Sequence, residues 1–146
     1  MNSESRPPPI RIAAALVIDA DNKLLLVRKR DTTAFMQPGG KIEPGEVPVE
    51  ALRRELCEEL GLVVPEGLPT YLGRFSALAA HEPGRIVEAE VFRIATDSVP
   101  IPAAEIEEAV WVDVEAAQRL DLAPLTRDHL LPLVPRRRIA SQPGLL

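Results

Sequence analysis

A glycine-bounded helical segment is the feature that most constrains the fold of this chain. Residues 47–60 have helical spacing, and Gly61 follows where a glycine commonly ends a helix. At about 100° per residue, one apolar arc is formed by Val49, Leu52, Leu56 and Leu60. An amphipathic helix of this kind must bury its apolar arc, so we expect it to pack on a sheet.

A second arc on the same helix is acidic. Glu55, Glu58 and Glu59 lie three and four positions apart, where like charges repel by a few tenths of a kcal/mol. Arg54 can pair with Glu50 or Glu58, but the balance stays negative. Mg²⁺ takes oxygen ligands and is commonly held by a few carboxylates together with substrate phosphates. The helix by itself indicates either a cation site or, equally, a solvated acidic face.

The rest of the chain predicts an α/β fold. Five apolar runs are typical of strands, the first two and the next two forming hairpins: 11–19, 23–30, 70–79, 85–95 and 109–114. A loop around Pro38, Gly39 and Gly40 precedes the helix. A helical turn is expected at 115–120, and a last helix at 125–134, interrupted near Pro132.

Length and composition indicate one soluble domain. With 146 residues we expect a single domain at 10–134, a flexible arm at 1–9 and a tail at 135–146. The single cysteine, Cys57, cannot form an intrachain disulfide, and the sequence has neither a secretory signal nor a membrane-spanning apolar run, so we expect a cytoplasmic protein. A net charge of −5 argues against duplex nucleic acid as a partner and leaves homodimerisation open.

The stretch from Gly40 to Leu62 resembles the Nudix box, GX5EX7REUXEEXGU, where U is aliphatic. Every defined position is filled: the first glycine by Gly40, the isolated glutamate by Glu46, and the rest by Arg54-Glu55-Leu56, Glu58-Glu59 and Gly61-Leu62. The resemblance implies a Nudix α/β/α sandwich with a mixed central sheet and the box as a loop, helix and loop.

The resemblance also implies a metal-dependent hydrolysis of a nucleoside diphosphate linked to another group. The metal ligands would be the Gly40 carbonyl and Glu55, Glu58 and Glu59, binding Mg²⁺ or, as a substitute, Mn²⁺. Arg54 would orient these carboxylates and Glu46 would support the loop.

The general base is predicted among carboxylates near the metal. Glu55 or Glu58 is the candidate within the box. Outside it, Glu105, Glu107 or Glu108 would lie just before the strand at 109–114, and we include Glu108 among the metal ligands.

Substrate contacts are predicted at five positions: Arg28, Gly39, Gly40, Lys41 and Thr126. Arg28 matches a strand-end arginine of small Nudix enzymes of the MutT type. Thr126 falls where such an enzyme carries a base-contacting asparagine, and this departure weakens an assignment to 8-oxo-dGTP. A (d)NTP cleaved to the monophosphate and pyrophosphate is the first hypothesis. ADP-ribose, dinucleoside polyphosphates and a non-catalytic nucleotide-sensing module are the alternatives.

The remaining aromatic, acidic, histidine and cysteine residues are expected to have no part in the site. We expect Phe35, Tyr71, Phe75 and Phe92 in the core, and Glu88 and Glu90 in solvent. His81 and His129 lack zinc-ligand spacing, and Cys57 has no histidine nearby in sequence.

Overall fold

The computed structural model describes residues 7–135. Seven strands and two α-helices follow in the order β1 (Ile10–Ile18), β2 (Leu24–Lys29), β3 (Phe35–Met36), β4 (Gly39–Lys41), α1 (Pro48–Leu60), β5 (Thr70–Leu78), β6 (Ile86–Ala95), β7 (Ile106–Val112) and α2 (Val114–Ala117). A π-helical turn at Thr126–Leu130 and a 3-10 turn at Leu131–Leu133 end the described chain. None of the described helices is long and apolar enough to cross a membrane.

The strands form one mixed sheet. The main order is β3-β2-β1-β6-β5, with β4 paired to β1 and β7 paired to β2. β1 and β6 are parallel from Ile10↔Val87 to Ile18↔Ala95, and the other pairs are antiparallel. The second predicted hairpin is confirmed by the pairing of β5 with β6.

The first predicted hairpin is open for most of its length. β1 and β2 pair at Ile18↔Leu24, next to their connecting turn, and then take different partners. β4 pairs with the first half of β1, and β7 pairs along β2. This divergence separates the start of β1 from the end of β2 and opens a cleft between them.

Two apolar layers cover the two faces of the sheet. Successive residues of β1 point to opposite faces, so Ala13, Ala15 and Val17 pack with α1, whereas Ala14, Leu16 and Ile18 pack under the C-terminal helical turns. This arrangement confirms the predicted α/β/α sandwich.

Helix α1 forms as its sequence predicts. Leu52, Leu56 and Leu60 are fully buried, and burial of each leucine contributes about 1.5–3 kcal/mol. Pro48 starts the helix at a position that needs no backbone donor. Gly61 ends it in the left-handed conformation (φ 66°), with its N–H donating to Cys57 O at 2.9 Å.

Three local predictions differ from the structure. The loop predicted before α1 contains the short strands β3 and β4. A hydrophobic pattern does not reveal β4, because it pairs with β1 through Gly39 and Gly40, which have no side chains. β7 begins at Ile106, so Glu107 and Glu108 belong to the strand and not to the loop before it. The predicted last helix is a π-helical turn followed by a 3-10 turn, which contains Pro132.

Candidate active site

A cleft of about 350 Å³ lies beside the first half of β1 and the box helix. One end carries the carboxylates of Glu55, Glu59 and Glu105, with Lys29 close to them. The remaining wall is mostly apolar or small and contains Ile10, Ile12, Met36, Ala79, Ala80 and Val87. Gln37, Gly39, Gly40, Lys41, His81 and Glu82 complete the lining. The cleft therefore combines an acidic end with an apolar wall.

The three glutamates of the acidic arc have different environments. The Glu55 side chain is 17% exposed and Glu59 is 4% exposed, and both line the cleft. The Glu58 side chain is 58% exposed and lies 3.5 Å from Arg54 Nη1. The structure thus brings Glu55 and Glu59 into the cleft and leaves Glu58 on its solvent side.

Two glycines bring the β4 backbone against its neighbours. A Cβ atom on Gly40 would lie 2.4 Å from Glu55 Cδ, so the absence of a side chain makes room for that carboxylate. Gly39 has φ 139°, and a Cβ atom there would lie 2.1 Å from the backbone oxygen of Ala13. Gly40 therefore shapes the acidic end, and Gly39 permits the strand pairing that places it there.

Arg54 links the loop to the acidic end. Its Nε and Nη2 donate to the two carboxylate oxygens of Glu46 at 2.8 and 2.9 Å, and its Nη1 donates to Glu55 Oε2 at 2.8 Å. A further bond runs from Nη2 to Lys41 O at 3.2 Å. The hydrogen bonds from Arg54 lower the pKa of Glu46 to about 2, and the bond to Glu46 raises the pKa of Arg54. Arg54 thus fixes the orientation of Glu55.

Glu59 is a buried carboxylate with an unmet hydrogen-bonding need. Burial, followed by the charge of Glu55, raises its pKa to about 8, although a hydrogen bond from the Gly39 backbone opposes this shift. Among the described side chains, Glu59 Oε1 is one of two buried polar atoms without a hydrogen-bond partner. Burial also raises the pKa of Glu55. A cation at this end would satisfy Oε1 and favour the ionised form of both groups.

The three acidic candidates outside the box are separated by the structure. Glu105 lines the cleft, 3.7 Å from Lys29 Nζ, after a turn in which Ala104 has φ 54°. Glu108 instead accepts a hydrogen bond from Arg28 Nε at 2.8 Å. Glu107 pairs with the exposed Arg30 at 3.4 Å. Of the three, Glu105 is the one that the fold places at the acidic end.

Of the five predicted substrate contacts, three line the cleft and two do not. Gly39, Gly40 and Lys41 line the cleft, and Lys41 Nζ lies 3.7 Å from Glu82 Oε1 across its mouth. Arg28 does not line it, because its guanidinium is held by Glu108 and by Thr32 O at 2.8 Å. Thr126 is fully buried behind Gln37, which does line the cleft.

Lys29 and Gln37 line the cleft without any sequence signal of their own. The nearest signal for Gln37 is the Pro38-Gly39-Gly40 stretch that directly follows it.

Two residues on the sheet face that packs against α1 differ in solvent exposure from the prediction. Contrary to the predicted solvent exposure, Glu90 is buried, because Tyr71 Oη, Arg74 and Arg11 surround it. Tyr71, expected in the core, is exposed.

The residues present fit an oxygen-ligated divalent cation. Within 7–135, no three His, Cys, Asp or Glu side chains are gathered closely enough to hold a metal without other ligands. The acidic end nevertheless offers the Glu55 and Glu59 carboxylates, the unpartnered Glu59 Oε1 and the space beside Gly40. Mg²⁺ commonly completes such a partial ligand set with water and substrate oxygens.

Comparison with known proteins identifies relatives across almost the whole described chain. The family model described as NUDIX domain matches residues 8–134. The chain is 32% identical over 122 residues to the CTP pyrophosphohydrolase of Escherichia coli, a match covering 79% of this chain and 84% of that protein. It is 36% identical over 118 residues to the octanoyltransferase of Myxococcus xanthus, but spans only 33% of that protein's length and 76% of its own.

A solved structure shares the fold. The MutT NUDIX hydrolase from Burkholderia pseudomallei has a TM-score of 0.74 and 23% sequence identity, with 88% of this chain and 99% of that chain covered. This agreement confirms the fold class predicted from the box and its surroundings.

Proposed function

The chain belongs to the NUDIX domain family, whose hydrolases cleave pyrophosphate linkages with divalent metal ions, and from this premise we propose that it converts a (d)NTP into a nucleoside monophosphate and pyrophosphate. The observation that carries the proposal is the division of one cleft into an acidic end and an apolar wall. A nucleoside triphosphate has the same division, with a charged polyphosphate and a flat, largely apolar base.

Metal binding is proposed at the acidic end. Glu55, Glu59 and the carbonyl of Gly40 would hold Mg²⁺, with Mn²⁺ as a substitute, and the exposed Glu58 would join them by rotation of its side chain. The bound ion would neutralise charge on the polyphosphate and make water more acidic. Arg54 would keep Glu55 in place, with Glu46 holding Arg54.

Glu105 is proposed to accept the proton of the attacking water. It lies at the same end of the cleft as Glu55 and Glu59, and its backbone is held by a 2.8 Å hydrogen bond from Arg30 N to Glu105 O. Lys29 Nζ lies 3.7 Å from its Oε2. Glu55 and Glu58, the bases suggested by the box, are the alternatives, whereas the engagement of Glu108 by Arg28 leaves it the weaker choice as a ligand.

The polyphosphate is proposed to enter beside Lys41. Its amino group lies at the rim of the cleft, where a phosphate would compete with Glu82 for the positive charge. The similarity to a CTP pyrophosphohydrolase supports a nucleoside triphosphate as substrate. ADP-ribose, a dinucleoside polyphosphate and non-catalytic nucleotide sensing remain the alternatives, and the filled box together with the open acidic cleft favours catalysis over sensing.

We propose a cytoplasmic enzyme with one domain at 10–134 that acts on small nucleotides, with neither duplex nucleic acid nor membrane as a partner and with homodimerisation left to measurement. The expected arm and tail lie mostly outside the described residues.

A nucleotide panel tests the proposed function. Ribonucleoside and deoxyribonucleoside triphosphates, ADP-ribose and a dinucleoside polyphosphate are incubated with the protein and Mg²⁺, and the products are separated by ion exchange. We expect a monophosphate and pyrophosphate from at least one triphosphate, and activity reduced by orders of magnitude in Glu55→Gln. Turnover of ADP-ribose alone would select that alternative, and no turnover with Mg²⁺ or Mn²⁺ would favour sensing.

A further inference from the structure

A buried polar pair forms part of the cleft wall away from the acidic end. Gln37 is 7% exposed and Thr126 is fully buried. The Thr126 hydroxyl donates to Gln37 Oε1 at 2.6 Å, and the Gln37 backbone N–H donates to Thr126 Oγ1 at 3.3 Å. The hydroxyl therefore both accepts from and donates to the same residue, which holds the Gln37 side chain in one orientation.

This orientation determines which end of the amide remains for a ligand. Because Oε1 accepts the threonine proton, Nε2 is the group still able to hydrogen bond, and it can only donate. Within residues 7–135, the Gln37 side chain makes one hydrogen bond, the one that Oε1 accepts from Thr126. Nε2 is not among the fully buried atoms that lack a partner, so it reaches the solvent of the cleft and is free to donate to an acceptor atom of a ligand.

The position of Gln37 matches the base and not the phosphates. The chain bends at Pro38 and then runs antiparallel to β1, since Ala15 N donates to Pro38 O at 3.0 Å and Gly40 pairs with Ala13. Three residues span at most about 10 Å, so the backbone of Gln37 lies within the length of a sugar and base from Gly40, which is next to the Glu55 carboxylate. The apolar Met36, next to Gln37, lines the same cleft.

We propose that Gln37 is a specificity-determining residue whose Nε2 donates a hydrogen bond to a carbonyl oxygen of the substrate's nucleobase, at the position where inosine differs from adenosine or uridine from cytidine. Thr126 is the positioning residue that fixes the amide from behind. This inference rests on the proposed function, and it assigns Thr126 an indirect role in place of the base contact expected from the sequence.

Reversing the polarity of the amide tests the contact. Gln37→Glu keeps the shape and the bond from Thr126 but replaces the donor with an acceptor. Two pairs of nucleotides differ by a carbonyl or an amine at one position of the base: inosine and adenosine triphosphate, and uridine and cytidine triphosphate. We expect KM for the preferred nucleotide to rise about tenfold with kcat little changed, and the preference within at least one pair to shift toward the amine by about tenfold.

Thr126 variants separate positioning from packing. Thr126→Val keeps the side-chain volume but frees the Gln37 amide to rotate. We expect KM for the preferred nucleotide to rise about three- to tenfold and the preference within the nucleotide pairs to become smaller. Thr126→Ser retains the hydroxyl and should restore both to within about twofold. Thr33→Val, which removes an exposed threonine hydroxyl bonded to Asp121, is the control and should change neither.

The outcomes distinguish this inference from the function on which it rests. An inactive wild-type protein on every nucleotide would overturn both. If the wild type is active and the preferences within both nucleotide pairs stay within about twofold in Gln37→Glu, the function stands and the base contact is wrong. A fall in melting temperature of Thr126→Val with unchanged base preference would show that the pair is only structural.

Discussion

Gly40 and the carboxylate of Glu55 are packed so closely that a Cβ atom on Gly40 would lie 2.4 Å from Glu55 Cδ and 2.6 Å from its Oε1. The atoms in conflict are the far end of a flexible side chain, so the fold can absorb them by moving that carboxylate. The lack of a side chain at Gly40 therefore determines where the Glu55 carboxylate lies.

Gly40→Ala is predicted to damage catalysis more than stability. The new methyl group would push the Glu55 carboxylate out of place, and we expect kcat to fall about 100-fold with a melting temperature within a few degrees of wild type. Gly39→Ala is the contrasting variant, because its methyl group would meet the Ala13 backbone at a φ of 139° and should impair folding. Steady-state kinetics and thermal unfolding of both variants check this. Normal kinetics in Gly40→Ala would contradict the placement of Glu55.

Arg54→Lys is predicted to reduce activity without unfolding the protein. A lysine cannot make the two parallel bonds to Glu46 while also holding Glu55, so we expect an activity loss of about 10- to 100-fold. Arg53→Lys, next in the chain and paired with the exposed Glu50, is the matched control and should remain near wild type. An equal loss of activity in the two variants would contradict the positioning role of Arg54.

The metal-free protein is predicted to lose stability as pH rises toward 8. Glu59 stays protonated in the fold up to about pH 8, whereas in the unfolded chain it ionises above its ordinary 4.5. The folded state then binds more protons across this window, so the free energy of unfolding falls as pH rises. Each unit of pKa difference is worth at most about 1.4 kcal/mol.

Glu59→Gln should therefore flatten this pH dependence and raise the melting temperature at alkaline pH. Urea unfolding in EDTA at about pH 5 and about pH 9 measures the effect. The exposed Glu58→Gln is the comparison and should keep the wild-type slope. An identical slope in Glu59→Gln would mean that the buried carboxylate does not control it.

Tyr71→Phe is predicted to lower stability and leave catalysis unchanged. Burial favours the neutral form of Glu90, but hydrogen bonds from Tyr71 and Arg74 lower its pKa, so the carboxylate is ionised and depends on these donors. Removal of the 2.6 Å bond from Tyr71 Oη should cost about 1–2 kcal/mol. Denaturant unfolding and kinetics on the same samples check both parts. A large change in kcat would contradict this prediction and would mean that the Tyr71–Glu90 pair contributes to catalysis.

Local sequence patterns predict the parts of the site that lie within one helix and its flanking loop. The spacing of Leu52, Leu56 and Leu60 determines which face of α1 is buried, and this places Glu55 and Glu59 beside the sheet. The box motif also predicts Gly40. The structure explains why this position is a glycine, because a side chain there would collide with the Glu55 carboxylate.

Contacts between distant parts of the chain were beyond sequence reasoning. Thr126 and Gln37 are 89 positions apart, and no periodic pattern indicates that their side chains meet. The choice among Glu105, Glu107 and Glu108 depended on where β7 begins and on which arginine of β2 lies opposite, because the register pairs Arg28 with Glu108. Burial of Glu90 likewise follows from tertiary neighbours, since strand alternation gives a face but not its exposure.

Binding of Mn²⁺ measured by electron paramagnetic resonance tests the central claim most directly, since it reports metal held by the acidic end without requiring turnover. The wild type, Glu55→Gln, Glu59→Gln and the exposed control Glu107→Gln are titrated under the same conditions. We expect Glu55→Gln and Glu59→Gln each to bind at least about tenfold more weakly than the wild type, with Glu107→Gln unchanged. Equal affinity in all four proteins would contradict a metal site formed by Glu55 and Glu59.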